Sequence, residues 1–336
     1  MIKSYFKTAW RSLLRNRTTS IINIGGLTVG IAVALLIGLW IYDELSFNKY
    51  HQNYSRIAQI MVRGNDAKEG PFINNSLQYP LATELQTHYK NNFKHIIRAS
   101  WVQEYILSAG EKKISSKGQF MDEDAPEMFS LKMLKGNRAG LRDRHSIILS
   151  ASTAKALFGN DESLDQLVMI NNKTNVKVSG VYEDLPLNTQ FNDIKFLSTW
   201  DLWVSENAWI QERATNDWHN HFLKLYAEIK PDVSFESVNN NIKNAELLNI
   251  RKLENFEEDV ARNPQPFLHP MSKWHLYPYK EGITDDKPVR MVRLVGIIGM
   301  FVLLLACINF MNLSTARSEK RAREVGIRKA IGSKRN

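Results

Sequence analysis

From Ser20 to Tyr42 the sequence carries no charged residue, and this stretch limits what the chain can become more than any other. It is about 22 residues long. At 1.5 Å per residue it makes a helix of roughly 33 Å, enough to cross a bilayer core of about 30 Å. Few helices of that length in soluble proteins are apolar on every side. A second run, Leu294 to Leu313 (LVGIIGMFVLLLACINFMNL), has the same spanning length. The chain therefore reads as two membrane helices, residues 20–42 and 294–313, enclosing a polar region of about 250 residues. In the first helix Gly26, Gly30, Ala34 and Gly38 recur every fourth residue. Small side chains let a neighbouring helix approach closely, and close van der Waals packing holds helices together in lipid. These four, with Asn309 and Asn312 near the inner end of the second span, are the candidate helix-packing residues.

The net charge of +9 is unevenly placed. Residues 1–17 hold five basic residues (Lys3, Lys7, Arg11, Arg15, Arg17) and no acid, and residues 317–336 hold eight basic residues against Glu319 and Glu324. The remainder is close to neutral, with a slight acidic excess. Basic flanks mark the cytoplasmic side of membrane helices. Both termini are thus expected in the cytoplasm and residues 43–290 on the other side of the membrane. A near-neutral middle offers no basic face for nucleic acid. The apolar run is too long and starts too far in for a cleaved signal peptide. Cys307, the only cysteine, lies inside the second span, so the outer domain is expected to stand on its core without disulfides.

Read in order, residues 1–17 predict an amphipathic interfacial helix, with Ile2, Phe6, Trp10 and Leu13 on one face. Tyr54 to Val62 predicts a strand, 64–76 a Gly- and Asn-rich loop, and Tyr79 to Tyr89 a helix. Strands follow at 96–102, 105–109 and 112–115. Ile147–Leu149 reads as a strand and Ser150 to Phe158 as a helix, capped by Ser150 and stopped by Gly159. Strands are expected at 168–170, 176–182, 191–197 and 218–229, a helix at 234–248, and an extended aromatic stretch at 267–279. This is an α+β domain. Its two expected lobes comprise residues 43–140 with 225–290, and residues 141–224.

The sequence holds no phosphate-cradling glycine loop, no dinucleotide fingerprint, no Cys-x-x-Cys and no His-Glu-x-x-His. His219 and His221 could share a strand face as zinc ligands, but no third ligand is evident. Glu183 and Asp184 precede a proline turn and read as solvated carboxylates. No catalytic residue and no metal site is assigned. The informative polar segment is the tail, residues 314–336, in which Glu324, Val325, Gly326, Ile327, Arg328, Lys329, Ala330, Ile331 and Gly332 read as a short amphipathic element with bends at its two glycines. From composition alone it could meet lipid head groups or dock a cytoplasmic partner.

The tail ACINFMNLSTARSEKRAREVGIRKAIGSKR resembles the second membrane helix and following loop of MacB/FtsX-like ABC-transporter permeases. IILSASTAKALFGNDES and VKVSGVYEDLPLNTQF are similar to elements of that family's MacB-like periplasmic core domain, and WRSLLRNRTTSIINIGGLTVGIA fits its lead-in and first helix. The resemblance covers essentially the whole chain. It implies a permease, paired with a second copy or half as a dimer and driven by a cytoplasmic ABC ATPase that binds the ATP, this chain needing no cofactor of its own. It further implies that Glu324 to Gly332 form the element seated on that ATPase, and that substrate is handled outside the inner membrane by mechanotransmission, with a periplasmic or outer-membrane partner or a lipoprotein as a further contact. Family members continue into more membrane helices, so a chain ending at Asn336 is expected to be an N-terminal fragment. The other reading is a two-span scaffold or sensor whose outer domain regulates a cell-envelope hydrolase or binds a ligand.

Overall fold

The computed structural model describes Arg11 and residues 17–159, 162–280 and 283–332. The interfacial helix expected at residues 1–17 lies outside them but for Arg11 and Arg17. In chain order the elements are α1 (Arg17–Leu45), the pair β1 (Ile57–Asp66) and β2 (Gly70–Asn74), β3 (Leu77–Gln78) and α2 (Tyr79–His88). Next come β4 (Phe93–Ala99), β5 (Gln103–Ala109), β6 (Lys112–Met121), the single turn α3 (Ala125–Met128), β7 (Met133–Gly136), β8 (Ser146–Ser150) and α4 (Ala151–Phe158). β9 (Leu167–Ile170), β10 (Thr174–Tyr182), β11 (Phe196–Thr199) and α5 (Trp200–Glu206) precede a π-helical turn at Ile210–Ala214. The chain closes with β12 (His221–Ile229), α6 (Phe235–Ile242), α7 (Ala245–Ile250), α8 (Glu257–Ala261), β13 (Gln265–Pro270), β14 (Tyr279–Lys280), β15 (Ile283–Thr284) and α9 (Lys287–Ala330).

Two units result: α1 with α9, and Ser46–Asp286. In the helical unit, the stretches Ser20–Leu45 and Lys287–Asn312 are long and apolar enough to cross a membrane. Only 6% and 11% of their most apolar windows are buried, whereas the central helix of a soluble protein would be mostly covered. Apolar surface left outward at this length suits lipid as the solvent.

The second unit is a mixed α/β domain built on one large sheet, in the order β11-β8-β10-β9-β5-β6-β4-β12-β1-β13. β11 pairs with β6 as well as β8, so six strands close into a ring. Leu107, Phe120, Ile147, Leu149, Val178 and Phe196 fill it. The ring meets the open part of the sheet through a single pair, Ala99 with Met121. β5 and β6, grouped by chain position with residues 43–140, thus supply two strands of the ring. β6 can do this because it is ten residues long and changes partners along its length, pairing β5, then β11, then β4.

Strand alternation sorts the open part. On β12, Leu225 and Ala227 face α2, α6 and α7 through Leu81, Leu85, Val238, Ile242 and Ala245, while Tyr226 faces Phe129, Phe191, Met271 and Trp274. At the outer strand β13, Pro266 and Pro270 have no N–H, and Leu268 between them donates its own to Asn239 Oδ1 at 2.7 Å. Proline and side-chain capping are how sheet edges are kept from pairing further.

Several local expectations match the structure, and several need correction. Ser150 Oγ accepts the Thr153 N–H at 3.3 Å, and Gly159, at φ 70°, ends α4. Residues 64–76 are a hairpin rather than a loop: β1 runs to Asp66, whose carboxylate accepts the N–H groups of Lys68 and Glu69, and Gly70 turns at φ 85°. Gly70 serves the turn, and Gly64 leaves room for the Phe72 ring. The helix expected at 234–248 is broken at Lys243–Asn244 into α6 and α7. The strand expected at 191–197 is only Phe196–Thr199, and the extended stretch at 267–279 stops at Pro270 and continues as a 3-10 turn, Met271–Lys273.

Two outcomes follow from this packing. A Cβ at Gly118 would overlap the Phe196 ring inside the closed ring of strands. Gly118→Ala should therefore cost about 1–3 kcal/mol, read as a lowered thermal midpoint. Burial pushes the Glu246 carboxyl up to about 7. The stability that comes from keeping it neutral is complete below its ordinary value of about 4.5 and is lost as pH rises through 7, by about 3 kcal/mol at most. A pH series of melting curves should show this decline, and Glu246→Gln should remove it.

Candidate functional site

The helix pair is antiparallel and its seam is tight. A Cβ at Gly30 would overlap Ala306 Cβ, and one at Gly26 would lie 3.2 Å from Asn309 Nδ2. Toward the other end the small residues come from α9: Gly299 lies against Ile37 at 2.8 Å and Gly296 against Ile41 at 3.3 Å, measured from where their Cβ atoms would be. Gly38 has nothing within 4 Å of its Cβ position, and Ala34 is half-buried. Residues four apart advance about 40° beyond a full turn, so three such steps carry Gly38 about 120° from Gly26. The seam instead follows positions 26, 30, 37 and 41. Asn309 lies on it, and Asn312 is exposed. Gly296 and Gly299 were not singled out from sequence, although their spacing of three was the available signal.

Beyond its apolar part α9 continues as helix to Ala330. The bend expected at Gly326 is absent: the helix passes through it, since one glycine costs only about 1 kcal/mol relative to alanine. Gly332, where the second bend was expected, follows the helix at φ 82°. Glu324 to Ala330 are thus helical, and Ile331 and Gly332 form the closing turn. Ile327 and Ile331, 52% and 79% exposed, are four apart and share a stripe. Val325 lies about 160° away around the helix and does not join it. Glu324 and Lys329 are exposed, and the structure describes Arg328 by its backbone alone.

Where α1 ends, the outer domain begins with a polar knot that the sequence reading missed. Asn48 is fully buried in the left-handed region at φ 65°, which asparagine tolerates well. Its N–H donates to Asn188 O at 2.8 Å, and its Oδ1 accepts from Thr189 Oγ1 at 3.0 Å and from the Gln190 N–H at 2.9 Å. Its Nδ2 reaches Met271 O at 3.4 Å. Asn188 Nδ2 donates to Ser46 Oγ at 3.1 Å. His51, 1% exposed, lies 2.6 Å by Nδ1 from Phe129 O and 3.0 Å by Nε2 from Thr189 Oγ1. Burial holds the imidazole below its ordinary pKa, so it is neutral near pH 7 and Nδ1–H is the donor to Phe129. The single Thr189 hydrogen then faces two acceptors, His51 Nε2 and Asn48 Oδ1. Through this knot the first residues after α1 grip the 188–190 turn, the end of α3 and the residue after β13. A signal was present in the sequence: polar residues crowded at a span exit, opposite the Pro186 turn.

The other polar candidates have structural partners. Asp184 accepts from Ser152 N–H at 2.8 Å and Ser152 Oγ at 2.6 Å, holding the first turn of α4. Glu183 pairs with Lys132 at 2.8 Å. His219 stacks on Phe256 at 3.8 Å and sits 3.4 Å from Asp259. Among the described residues no three His, Cys, Asp or Glu side chains come together as metal ligands.

The sequence pattern of the MacB-like periplasmic core domain matches residues 20–245. No curated protein matches the chain. Among solved structures, a domain assigned to a permease protein of Porphyromonas gingivalis is similar with a TM-score of 0.51 at 18% identity, over 73% of this chain and 98% of that one. This is a likeness of fold. The periplasmic region of MacB from Actinobacillus actinomycetemcomitans gives 0.42 at 15% identity, over 64% of this chain and 90% of that one. The extracellular domain of the ABC-type transporter YknZ from Gram-positive bacteria gives 0.40 at 15%, over 63% and 99%.

The seam makes a directional prediction. Gly30→Leu should separate α1 from α9 and cost about 1–3 kcal/mol of helix-pair stability in detergent. Gly38→Leu, which meets open space, should stay within about 0.5 kcal/mol. Denaturation of the two variants side by side gives the comparison.

Proposed function

The chain belongs to the MacB-like periplasmic core domain family, and from that premise we propose that it is the permease subunit of an ABC transporter, coupling ATP hydrolysis by a cytoplasmic partner to its outer domain. It is a membrane protein whose extracytoplasmic domain lies between two apolar helices in the chain. The coupling reading adds four elements: both termini in the cytoplasm, Glu324 to Gly332 as the surface for the ATPase, a second permease copy or half as dimer partner, and ATP bound by the partner alone. No reaction is assigned to this chain.

One observation carries the reading. α9 is continuous over 44 residues, about 66 Å, from the residue after the outer domain through the apolar span to the exposed Ile327 and Ile331. An unbroken helix transmits displacement along its axis, because every turn is hydrogen-bonded to the next. An apolar pair left outward on a polar helix end is the feature a protein groove accepts. Basic residues on that stretch fit the cytoplasmic side.

Co-purification tests this. Candidate ABC ATPases should be captured with the chain, and deletion of 324–332 or the double change Ile327→Asp with Ile331→Asp should reduce capture at least tenfold. Charge reversal by Glu324→Lys with Arg328→Glu should weaken it as well. Equal capture by all forms would remove the coupling role from this segment. Capture by none, the unaltered chain included, would leave a scaffold bearing on envelope hydrolases as the better reading.

A further inference from the structure

A cleft of about 230 Å³ opens where β5, β6, β9 and β10 of the closed strand ring meet α5. The mouth of a small barrel is a common place for a ligand. Three aromatic side chains make the apolar wall of this one. Tyr105 and Phe120 are buried and meet edge to face, 5.5 Å between ring centroids. Trp203 is half-buried, held by Trp200 at 4.9 Å and stacked on Phe222 at 6.1 Å.

The rim is polar. Gln103, Asn171 and Asn207 line the cleft, and each uses one end of its side-chain amide on the protein. Gln103 Oε1 accepts from Tyr105 OH at 3.4 Å, Asn171 Oδ1 accepts from the Ile106 N–H at 3.0 Å, and Asn207 Nδ2 donates to Trp203 O at 2.8 Å. Among the described residues the other ends, Gln103 Nε2, Asn171 Nδ2 and Asn207 Oδ1, have no partner. The cleft thus offers two amide donors and one amide acceptor beside an aromatic wall. Its two charges cancel, because Lys173 at the β9–β10 turn is paired with Glu206, the last residue of α5. Burial pushes the Tyr105 phenol up to about 12, so it stays neutral as well.

These features select a chemistry. An ionic ligand would have to displace one half of the Lys173–Glu206 pair. A purely apolar ligand would cover the amide ends and leave them unbonded, which is unfavourable. What fits is neutral, carries hydroxyls that both donate and accept, and has an apolar face. A pyranose has all three: hydroxyls around its edge, and C–H groups that rest on the negative face of an aromatic ring. The cleft is smaller than the roughly 300–1,000 Å³ of sites for drug-sized ligands, so it has room for one such ring. We propose that this cleft binds a single neutral pyranose, with Trp203 as the stacking platform and Gln103, Asn171 and Asn207 bonding its hydroxyls. The site goes beyond the permease reading and is independent of any ATPase.

The full chain is placed in nanodiscs of phosphatidylethanolamine and phosphatidylglycerol, because glycoside detergents would themselves compete. The probes are glucose, galactose, mannose and N-acetylglucosamine with maltose, lactose, mannobiose and chitobiose, read by saturation-transfer NMR and titration calorimetry. At least one should receive saturation, most strongly at its ring C–H protons. Trp203→Leu and Gln103→Ala should each weaken its binding at least fivefold. Trp101→Leu, at an exposed tryptophan outside the cleft, should leave it unchanged. Gln103 is exposed, so an unaltered melting midpoint in the Gln103→Ala form shows that the loss belongs to the site. Tighter binding of the monosaccharide marks a free sugar as the source, and tighter binding of its disaccharide marks the end of a glycan. Saturation of no sugar overturns the inference, as does equal binding by the Trp203→Leu and Gln103→Ala forms. Binding of leucine or phenylalanine without any sugar also overturns it, in favour of a zwitterion that opens the Lys173–Glu206 pair.

Discussion

A bilayer core offers no water to satisfy backbone N–H and C=O groups, so a chain crossing it must pair them within each segment. That constraint produces the two long helices, and they in turn set the terms for the rest. The 241 residues from Ser46 to Asp286 must leave one helix and return to another, with both ends committed. The domain meets this with one sheet, half of it closed into a ring and half covered on both faces by separate apolar clusters. Its cohesion comes from that packing: the one cysteine lies in a membrane helix.

The two junctions between helix and domain are built differently. After α1, the chain is locked within three residues: Asn48 is buried with its amide and backbone N–H engaged, and His51 adds a neutral imidazole between Phe129 and Thr189. Before α9, the chain passes through the short pair β14 and β15. The knot abuts the cluster of Phe129, Phe191, Tyr226 and Trp274, whose rings touch one another at centroid distances of 4.5–6.0 Å. A close-packed cluster of that kind has low compressibility.

Much of this was legible from the amino acids, for identifiable reasons. The spans followed from length and absence of charge. α4 was readable at both ends because Ser150 and Gly159 act locally, by a side-chain bond and a backbone angle that depend on nothing distant. What escaped depended on distant partners. A repeat of four looked like a packing stripe, yet helical drift hands the seam from Gly26 and Gly30 to Ile37 and Ile41, and the second set of glycines comes from α9. Residues 64–76 looked like a loop because glycine and asparagine also serve tight turns. The knot escaped because Asn48 and Thr189 are 141 residues apart and meet only once the sheet has formed. Bends read from Gly326 gave way to the cooperativity of a long helix.

The closed ring and the guarded β13 edge have a consequence for the domain's life outside the cytoplasm. Unpaired strand edges are templates on which other extended chains assemble, the first step toward cross-β aggregates. In this sheet β11 turns back onto β6, and at the other end two prolines and the Asn239 side chain occupy the hydrogen-bonding positions of β13. At those two places the domain offers a passing unfolded chain no backbone N–H to pair with. Neighbouring proteins that recognise it there must read side chains, and a crowded envelope is correspondingly less able to draw it into insoluble fibres.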